Sequence, residues 1–208
     1  MLIDYSLYLV TDRGILKGKD LFKSVEEAIK GGVTLVQLRE KDTSSLEFYN
    51  LALRMKELVH SYNIPLIIND RLDIALAVDA DGIHIGQGDL PLEIVRRLVG
   101  PKKIVGYSVA NVDQALYGEN HGADYLGVGP VYPTDSKLDT GEPILLTGLR
   151  MIKEAVSIPV VGIGGIGLSN LKEVKSSGID GISVISAILG SEDIAGTSKK
   201  LISLWREK

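Results

Sequence analysis

Several charged and polar side chains stand directly after short apolar runs, and the first such group is the segment VQLREKD. In it Gln37, Arg39 and Lys41 alternate with the two-residue period of a β-strand, so their side chains point to the same side. Arginine and lysine bind phosphate oxygens strongly, and glutamine adds a neutral hydrogen-bonding group. A second interpretation is a layer of ion pairs with Glu40 or Asp42, but those residues alternate to the opposite face. The spacing therefore favours an anion-binding surface.

Two aspartates follow the next apolar runs: Asp70 closes PLIIND, and Asp89 comes shortly after GIHIG. Carboxylates are ligands that Mg²⁺ prefers, and a protein typically supplies one or two of them beside substrate phosphates. Each aspartate also has a structural interpretation, since Asp70 could cap a short helix and Asp89 could precede a helix that begins near Pro91. The two together, facing Arg39 and Lys41, indicate a magnesium and diphosphate site.

The segment 158–189 holds two apolar runs, PVVGIGG and GISVISA, and both end in small residues. Gly164 and Gly165 close the first run, and Ser186 and Ala187 close the second. Glycines let backbone N–H groups approach a ligand closely, and strand ends of this kind bind phosphate. The alternative is that the glycines only permit tight packing between strand and helix. We favour a phosphate site at these two strand ends.

Lysine and histidine side chains elsewhere offer further candidates for chemistry. Lys41 and Lys137 suit a Schiff-base enzyme only if burial or a neighbouring cation activates one of them. Lys137 lies in the polar segment PTDSKLDTGEP, which is more typical of a lid than of a buried nucleophile. His60 and His121 fall in or near helical segments, so we expect them at the surface or at helix ends. His84 stands inside an apolar run, and we expect it to be a packed strand residue rather than a ligand.

The elements that must position these residues are short apolar runs separated by amphipathic stretches. The runs cover residues 6–12, 35–40, 65–70, 82–86, 103–109, 125–131, 159–165 and 181–187. Residues 46–62 follow the spacing of a helix with one buried face, and Ser44 and Glu47 stand at the spacing of a capping box. Strands that alternate with helices form a parallel sheet, and eight of them close a barrel. We therefore predict an α/β protein, a single (β/α)8 TIM barrel domain over residues 1–208.

Composition limits the compartment and the partners. The formal net charge of −4 lacks the basic excess of a nucleic-acid surface, so we expect no nucleic-acid partner. The chain has no cysteine, which excludes disulfides and thiolate metal sites and suits a reducing compartment. The first residues lack the features of a signal peptide, and no apolar run approaches the roughly 20 residues that span a bilayer. We expect a cytoplasmic protein with small phosphorylated substrates and no membrane partner, and a homo-oligomer stays open.

An ordered set of motifs extends over nearly the whole chain: VQLREKD, IINDR, DGIHIGQGDLP, GYSV, GPVYPTDSK, VVGIGGI and GISVISAI. In this order they resemble the thiamine phosphate synthase family, although a single motif such as GIGGI occurs in many phosphate-binding barrels. The resemblance implies a (β/α)8 barrel and a transferase that uses Mg²⁺. Its substrates are 4-amino-5-hydroxymethyl-2-methylpyrimidine diphosphate, here the pyrimidine diphosphate, and 4-methyl-5-(2-phosphoethyl)thiazole, here the thiazole phosphate. The products are thiamine phosphate and pyrophosphate, formed by dissociative substitution.

The resemblance also implies roles for individual residues. Those assigned to the pyrimidine diphosphate are Gln37, Leu38, Arg39, Glu40, Lys41, Asn69, Ser108 and Lys137. Those assigned to the thiazole phosphate are Thr134, Asp135, Ser136, Gly165, Ile185 and Ser186. Asp70 and Asp89 are assigned to Mg²⁺. The catalytic residues are Arg39, Lys41 and Lys137, because their charges neutralise the departing pyrophosphate.

Two positions depart from the family pattern. Ser136 stands where threonine is usual, and Ala110 stands where the pattern often has histidine. The related thiazole tautomerases resemble this fold and depend on that histidine for proton transfer, which an alanine cannot perform. Ala110 therefore argues against the first alternative to a synthase, a tautomerase-like isomerase. The second alternative is a non-catalytic regulatory barrel that binds thiamine intermediates. The retained cations and carboxylates favour the synthase over the regulatory barrel.

Overall fold

The computed structural model describes residues 3–134 and 142–207. The strands are β1 Leu7–Val10, β2 Leu35–Leu38, β3 Leu66–Asn69, β4 Gly82–Ile85, β5 Ile104–Val109, β6 Tyr125–Val128, β7 Val160–Ile163 and β8 Gly181–Val184. The helices are α1 Leu21–Lys30, α2 Ser45–Ser61, α3 Leu72–Ala77, α4 Leu92–Val99, α5 Val112–Asn120, α6 Leu145–Ala155, α7 Leu171–Lys175, α8 Ser186–Leu189 and α9 Ile194–Arg206. Each predicted apolar run contains one of these strands.

The strands pair in parallel in chain order, and β8 returns to β1, where Ile182 pairs with Leu7. The predicted (β/α)8 TIM barrel is therefore confirmed. Seven of the eight strands, all but β5, stop one to three residues before the carboxyl end of the predicted run, and a side chain can take the place of the next ladder partner. After β2, for example, the backbone N–H of Arg39 donates to the side-chain oxygen of Thr11 at 3.0 Å. Because a side chain replaces the strand carbonyl as acceptor, the chain can turn outward at the end where chemistry takes place in TIM barrels.

Helix α2 illustrates how local sequence starts an element. The Ser44 hydroxyl accepts from the backbone N–H of Glu47 at 3.2 Å, so the predicted N-cap is confirmed. The Glu47 carboxylate, which a full capping box would turn back to Ser44, binds Arg13 Nη1 at 3.1 Å. The buried face of the helix, Phe48, Ala52, Met55 and Val59, follows the predicted spacing.

Apolar side chains form two layers because successive strand residues point to opposite faces. The larger layer lies between the strands and the helices and includes Leu9, Val36 and Ile68. The smaller layer lies inside the barrel and consists of Tyr5, Tyr8, Leu35, Ile67, Tyr125 and Val161. The inner layer fills the amino-terminal half of the barrel and leaves the carboxyl end open.

A repeated carboxylate contact secures the amino ends of the strands. The aspartate just before β4, β6 and β8 accepts, at 2.7 Å, a backbone N–H from the preceding strand: Asp81 from Leu66, Asp124 from Val105, and Asp180 from Val160. Each carboxylate also contacts a basic side chain of the preceding even-numbered helix: His60 of α2, Arg96 of α4 and Lys153 of α6. We call these three contacts the aspartate clamps.

The first quarter of the barrel has a neutral counterpart of the aspartate clamps. Thr34, just before β2, accepts the backbone N–H of Leu7 through its hydroxyl oxygen at 3.1 Å. A side-chain acceptor thus precedes every even-numbered strand, and each one ties that strand to its predecessor. Within the described ranges, no helix is long and apolar enough to cross a membrane.

Candidate active site

A cavity of about 1050 Å³ opens at the carboxyl ends of the strands. The predicted site residues that line it are Gln37, Arg39, Lys41, Asn69, Asp70, Asp89, Ser108, Thr134, Gly165, Ile185 and Ser186. The group of cations and carboxylates and the group of glycines therefore face the same cavity. Its place in the barrel is the one where TIM-barrel enzymes carry their active sites.

The end of β2 carries the predicted anion-binding side chains. Gln37 is buried, and its Nε2 donates to the Tyr8 hydroxyl at 2.6 Å. Arg39 Nη1 donates to Asp12 Oδ2 at 2.8 Å, which holds the guanidinium at the edge of the cavity. A guanidinium has five N–H donors, so the bond to Asp12 leaves others for a phosphate. The side chains of Gln37, Arg39 and Lys41 all line the cavity, as their alternation predicts.

The side chains of Leu38 and Glu40 point away from the cavity. Leu38 is fully buried in the outer apolar layer, and Glu40 accepts from Arg13 Nε at 2.8 Å. Burial raises the pKa of Glu40, and the Arg13 guanidinium opposes the rise. The alternative of ion pairs with Glu40 or Asp42 is wrong for Arg39, because Arg39 pairs with Asp12 in the loop after β1. The assignment of Leu38 and Glu40 to a substrate stays a prediction. Because their side chains point away from the cavity, only their backbone atoms could contact the substrate.

The two predicted metal ligands lie at the ends of β3 and β4. Asp70 Oδ2 binds Lys41 Nζ at 2.5 Å, and Asp70 Oδ1 accepts from Asn69 Nδ2 at 2.5 Å. Asp89 Oδ2 accepts the backbone N–H of Gly86 at 2.7 Å. Burial raises the pKa of Asp89; the Gly86 N–H lowers it, and the neighbouring Asp70 carboxylate raises it further. Two carboxylates are thus held close together at one edge of the cavity, with one lysine beside them.

The capping interpretation of Asp70 is wrong. Helix α3 begins at Leu72, and the residue at its N-cap position is Arg71, with no side-chain cap. Asp70 instead has a φ of 58°, in the left-handed region, which a short polar side chain tolerates better than most. Its backbone N–H donates to the carbonyl of His84 at 2.9 Å. Unfavourable backbone geometry of this kind persists where the surroundings hold it, and here it turns a carboxylate toward the cavity.

The donor chemistry at this edge suits a hard divalent cation. Among the residues that the structure describes, no group of three or more His, Cys, Asp and Glu side chains could enclose a metal. Mg²⁺ is usually bound by one or two carboxylates together with substrate phosphates, rather than by a cage made entirely of protein. Asp70 and Asp89 provide that smaller set of oxygen ligands.

The opposite edge of the cavity is formed by the ends of β7 and β8. Gly164 and Gly165 have φ values of 98° and 64°, which favour glycine. A Cβ on Gly165 would lie 2.7 Å from the Pro133 carbonyl oxygen, so the glycine also lets the loop after β6 pack against it. The packing explanation of these glycines is therefore supported. It does not exclude the phosphate interpretation, because Gly165, Ile185 and Ser186 line the cavity.

The predicted loop residues Asp135, Ser136 and Lys137 lie outside the described residues. Lys41, the other lysine considered for a Schiff base, is about half exposed and is paired with Asp70. A lysine nucleophile is activated by desolvation or by another cation, whereas the Lys41 ammonium is exposed to solvent and faces the Asp70 carboxylate. The environment of Lys41 favours an ammonium group that binds anions.

Sequence reasoning missed a polar group at the floor of the cavity. His84 is buried, as predicted, yet it lines the cavity, and its Nε2 lies 2.8 Å from Ser108 Oγ. Its Nδ1 lies 2.8 Å from the hydroxyl of Tyr125, which in turn lies 2.8 Å from that of Tyr8. The signal available in the sequence was weak: polar atoms at inward positions of β1, β4 and β6. His60 lies in the last turn of α2 and His121 directly follows α5, as predicted.

Comparisons with known proteins agree with the geometry. A family model described as thiamine monophosphate synthase matches residues 7–188. The chain is 59% identical to a thiamine-phosphate synthase of Desulfitobacterium hafniense over 206 residues, covering 99% of this chain and 100% of the relative. It is 57% identical to a thiamine-phosphate synthase of Alkaliphilus oremlandii, covering 96% of this chain and 95% of that one.

A solved structure gives the same result. The thiamine phosphate pyrophosphorylase from Pyrococcus furiosus superposes with a TM-score of 0.89 at 42% identity, over 98% of this chain and 96% of that chain. The barrel, the position of the cavity and the sequence matches all lead to one assignment. The chain belongs to the thiamine monophosphate synthase family of transferases.

Proposed function

We propose that this chain joins the pyrimidine diphosphate to the thiazole phosphate and releases pyrophosphate and thiamine phosphate. The observation that carries the proposal is the division of one cavity into two unlike edges. One edge has cations and paired carboxylates at the ends of β2, β3 and β4. The other has glycine backbone at the ends of β7 and β8. A diphosphate with a metal suits the first edge, and a phosphate monoester suits the second.

The pyrimidine diphosphate binds along the first edge. Arg39 and Lys41 take the diphosphate oxygens, and Asn69 and Ser108 are placed to hydrogen-bond the same substrate. Gln37 lies deeper, with 4% of its surface exposed, and suits a neutral ring rather than a charged group. Its amide can donate and accept, which matches the donor and acceptors of an aminopyrimidine. This arrangement places the ring inside the barrel and the diphosphate at its mouth.

Asp70 and Asp89 hold Mg²⁺ in this proposal. When bound, the ion neutralises charge on the diphosphate and so makes pyrophosphate a better leaving group. The rest of the work belongs to the chain itself. Arg39 and Lys41 hold the diphosphate oxygens as negative charge grows on them, and the family resemblance gives Lys137 the same role.

The reaction breaks the bond between the pyrimidine methylene carbon and the diphosphate oxygen before the new bond forms. The electron-rich aminopyrimidine stabilises the resulting cation, so the protein supplies no nucleophile. The thiazole nitrogen then donates its electron pair to the methylene carbon. Gly165, Ile185 and Ser186 hold the thiazole phosphate so that this nitrogen faces the carbon. Exclusion of water by the surrounding loops protects the cation from capture.

A coupling assay tests the proposed function. The purified chain is mixed with both substrates and Mg²⁺, and thiamine phosphate and pyrophosphate are quantified separately. We expect the two products in equal amounts, and only when both substrates are present. Pyrophosphate without thiamine phosphate would identify a hydrolase, and the absence of both products would reject the proposal.

A further inference from the structure

A chain of hydrogen bonds crosses the barrel interior at the floor of the cavity. It runs from Gln37 Nε2 to the Tyr8 hydroxyl at 2.6 Å and on to the Tyr125 hydroxyl at 2.8 Å. It continues to His84 Nδ1 at 2.8 Å and from His84 Nε2 to Ser108 Oγ at 2.8 Å. We call these five residues the floor chain. Both of its ends are residues that the proposed function assigns to the pyrimidine diphosphate, and the inference below rests on that function.

The floor chain has a direction because each tyrosine hydroxyl carries one proton. Burial raises the pKa of Tyr8 and of Tyr125, so both phenols stay protonated. The amide Nε2 of Gln37 is a donor, which makes the Tyr8 oxygen an acceptor at that end. The Tyr8 hydroxyl can then direct its proton to Tyr125, and the Tyr125 hydroxyl can direct its proton to His84 Nδ1. A neutral imidazole that accepts at Nδ1 carries its proton on Nε2.

We propose that His84 is a positioning residue, which donates from Nε2 to Ser108 and thereby directs the Ser108 hydroxyl proton to an acceptor on the pyrimidine diphosphate. Ser108 Oγ accepts the His84 bond, so its own proton is available to the cavity that it lines. The substrate offers ring nitrogens and diphosphate oxygens as acceptors. Protons that all point the same way also polarise one another, which strengthens the last bond of such a chain.

The neighbouring strands are built to accommodate the floor chain. A Cβ on Gly106 would lie 2.2 Å from Tyr125 Cζ and 2.3 Å from His84 Nδ1. A Cβ on Gly127 would lie 2.8 Å from His84 Cε1. The absence of a side chain at these two positions of β5 and β6 leaves the space in which the imidazole and the phenol meet. The rings of His84 and Tyr125 have centroids 5.5 Å apart.

The protonation of His84 can be measured in the whole protein without any substrate. In a sample labelled with ¹⁵N at histidine, two-bond correlations from the ring protons distinguish a protonated ring nitrogen from an unprotonated one. We expect the His84 Nδ1 signal of an unprotonated nitrogen and the Nε2 signal of a protonated one. The opposite pattern would reverse the direction of the floor chain and overturn the proposal.

The matched variants are Tyr125→Phe and Tyr5→Phe. Both remove one hydroxyl from the inner apolar layer, and the Tyr5 ring packs on Tyr125 with centroids 4.9 Å apart, but only Tyr125 belongs to the floor chain. For Tyr125→Phe we expect a mixed His84 tautomer and a kcat/KM for the pyrimidine diphosphate reduced about three- to tenfold, the size of one hydrogen bond. The KM for the thiazole phosphate should stay unchanged. Tyr5→Phe should keep the wild-type tautomer and both kinetic constants.

Should Tyr125→Phe fail to fold, Tyr8→Phe interrupts the same chain one step earlier and carries the same expectations. An interrupted chain that keeps the wild-type tautomer, or the wild-type kcat/KM, would overturn the proposal. Failure of the proposed function has a different signature. In that case the tautomer of the wild-type protein is as expected, while the coupling assay yields no thiamine phosphate.

Discussion

Lys41 Nζ lies 2.5 Å from Asp70 Oδ2, so a lysine assigned to the diphosphate is bound to a carboxylate assigned to the metal. The other oxygen of Asp70 accepts from Asn69 at 2.5 Å. The Asp70 carboxylate therefore already has one positive charge beside it, the Lys41 ammonium. A divalent cation held by Asp70 would compete with Lys41 for this carboxylate, and the ammonium would then be available to phosphate oxygens. The pair would then link binding of the metal to binding of the substrate.

Removal of this lysine should affect the chemistry more than the fold. Because the Lys41 side chain is about half exposed, Lys41→Ala should leave the stability nearly unchanged. Its kcat/KM for the pyrimidine diphosphate should fall about 10²–10³-fold, the cost of losing one preorganised electrostatic group. Steady-state titration of that substrate measures the effect. Lys30→Ala, at the end of α1 far from the cavity, is the control and should behave as the wild type. Equal activity in both variants would remove Lys41 from the site.

The carboxylate pair should determine the requirement for magnesium. In Asp89→Asn a neutral amide replaces a ligand, so we expect the Mg²⁺ concentration that gives half-maximal activity to rise about tenfold or more. The measurement is turnover over a Mg²⁺ series at saturating substrates. The control is Asp113→Asn, an exposed aspartate in the first turn of α5. If Asp89→Asn keeps the wild-type Mg²⁺ dependence, the metal assignment is wrong.

Glycine 165 should matter for the thiazole phosphate beyond its backbone strain. Gly165→Ala places a side chain at a φ of 64°, and Gly178→Ala does the same at 80° but with no atom within 4 Å of its new Cβ. Both variants should lose about 1 kcal/mol or more of stability, because an L residue is strained at positive φ. Only Gly165→Ala should raise the KM for the thiazole phosphate. Titration of each substrate separates the two effects, and a raised KM for the pyrimidine diphosphate alone would reverse the assignment.

Alanine 110 should leave the chain without tautomerase activity. Ala110 lines the cavity, and its backbone N–H donates to Gln114 Oε1 at 2.8 Å. A methyl side chain cannot transfer a proton, so isomerisation of the thiazole carboxylate phosphate should stay near the uncatalysed rate. Spectroscopic or chromatographic detection of the isomer over time provides the test. Rapid isomerisation together with no coupling would make the tautomerase the better description.

The aspartate clamps should contribute to stability without touching the reaction. In Asp180→Ala the backbone N–H of Val160 and the ammonium of Lys153 both lose an acceptor that lies 2.7 Å away. We expect a loss of about 1–3 kcal/mol in the free energy of unfolding, since a part-buried donor is left without its partner. Chemical denaturation measures it, and Glu57→Ala, an exposed carboxylate on α2, is the control. A loss no larger than that of Glu57→Ala would show that the clamps are dispensable.

Sequence patterns were sufficient for the fold and for much of the site. Eight apolar runs, each long enough for one strand, determined the barrel, because parallel strands joined by helices have few other ways to close. Alternation placed Gln37, Arg39 and Lys41 on one side, and the rule that barrel chemistry lies at strand ends brought Asp70 and Asp89 beside them. These inferences depend on periodicity and chain order, which a sequence displays directly.

The partners that these side chains bind are determined only by the tertiary structure. Arg39 pairs with Asp12 and Lys41 with Asp70, because the loops after β1 and β3 flank the loop after β2 in the closed barrel. The floor chain was hidden for the same reason. Tyr8, Tyr125 and His84 come from strands far apart in sequence, and their contact depends on the barrel radius and on the space left at two glycines. Periodicity tells which way a side chain points, whereas closure of the sheet determines what it meets.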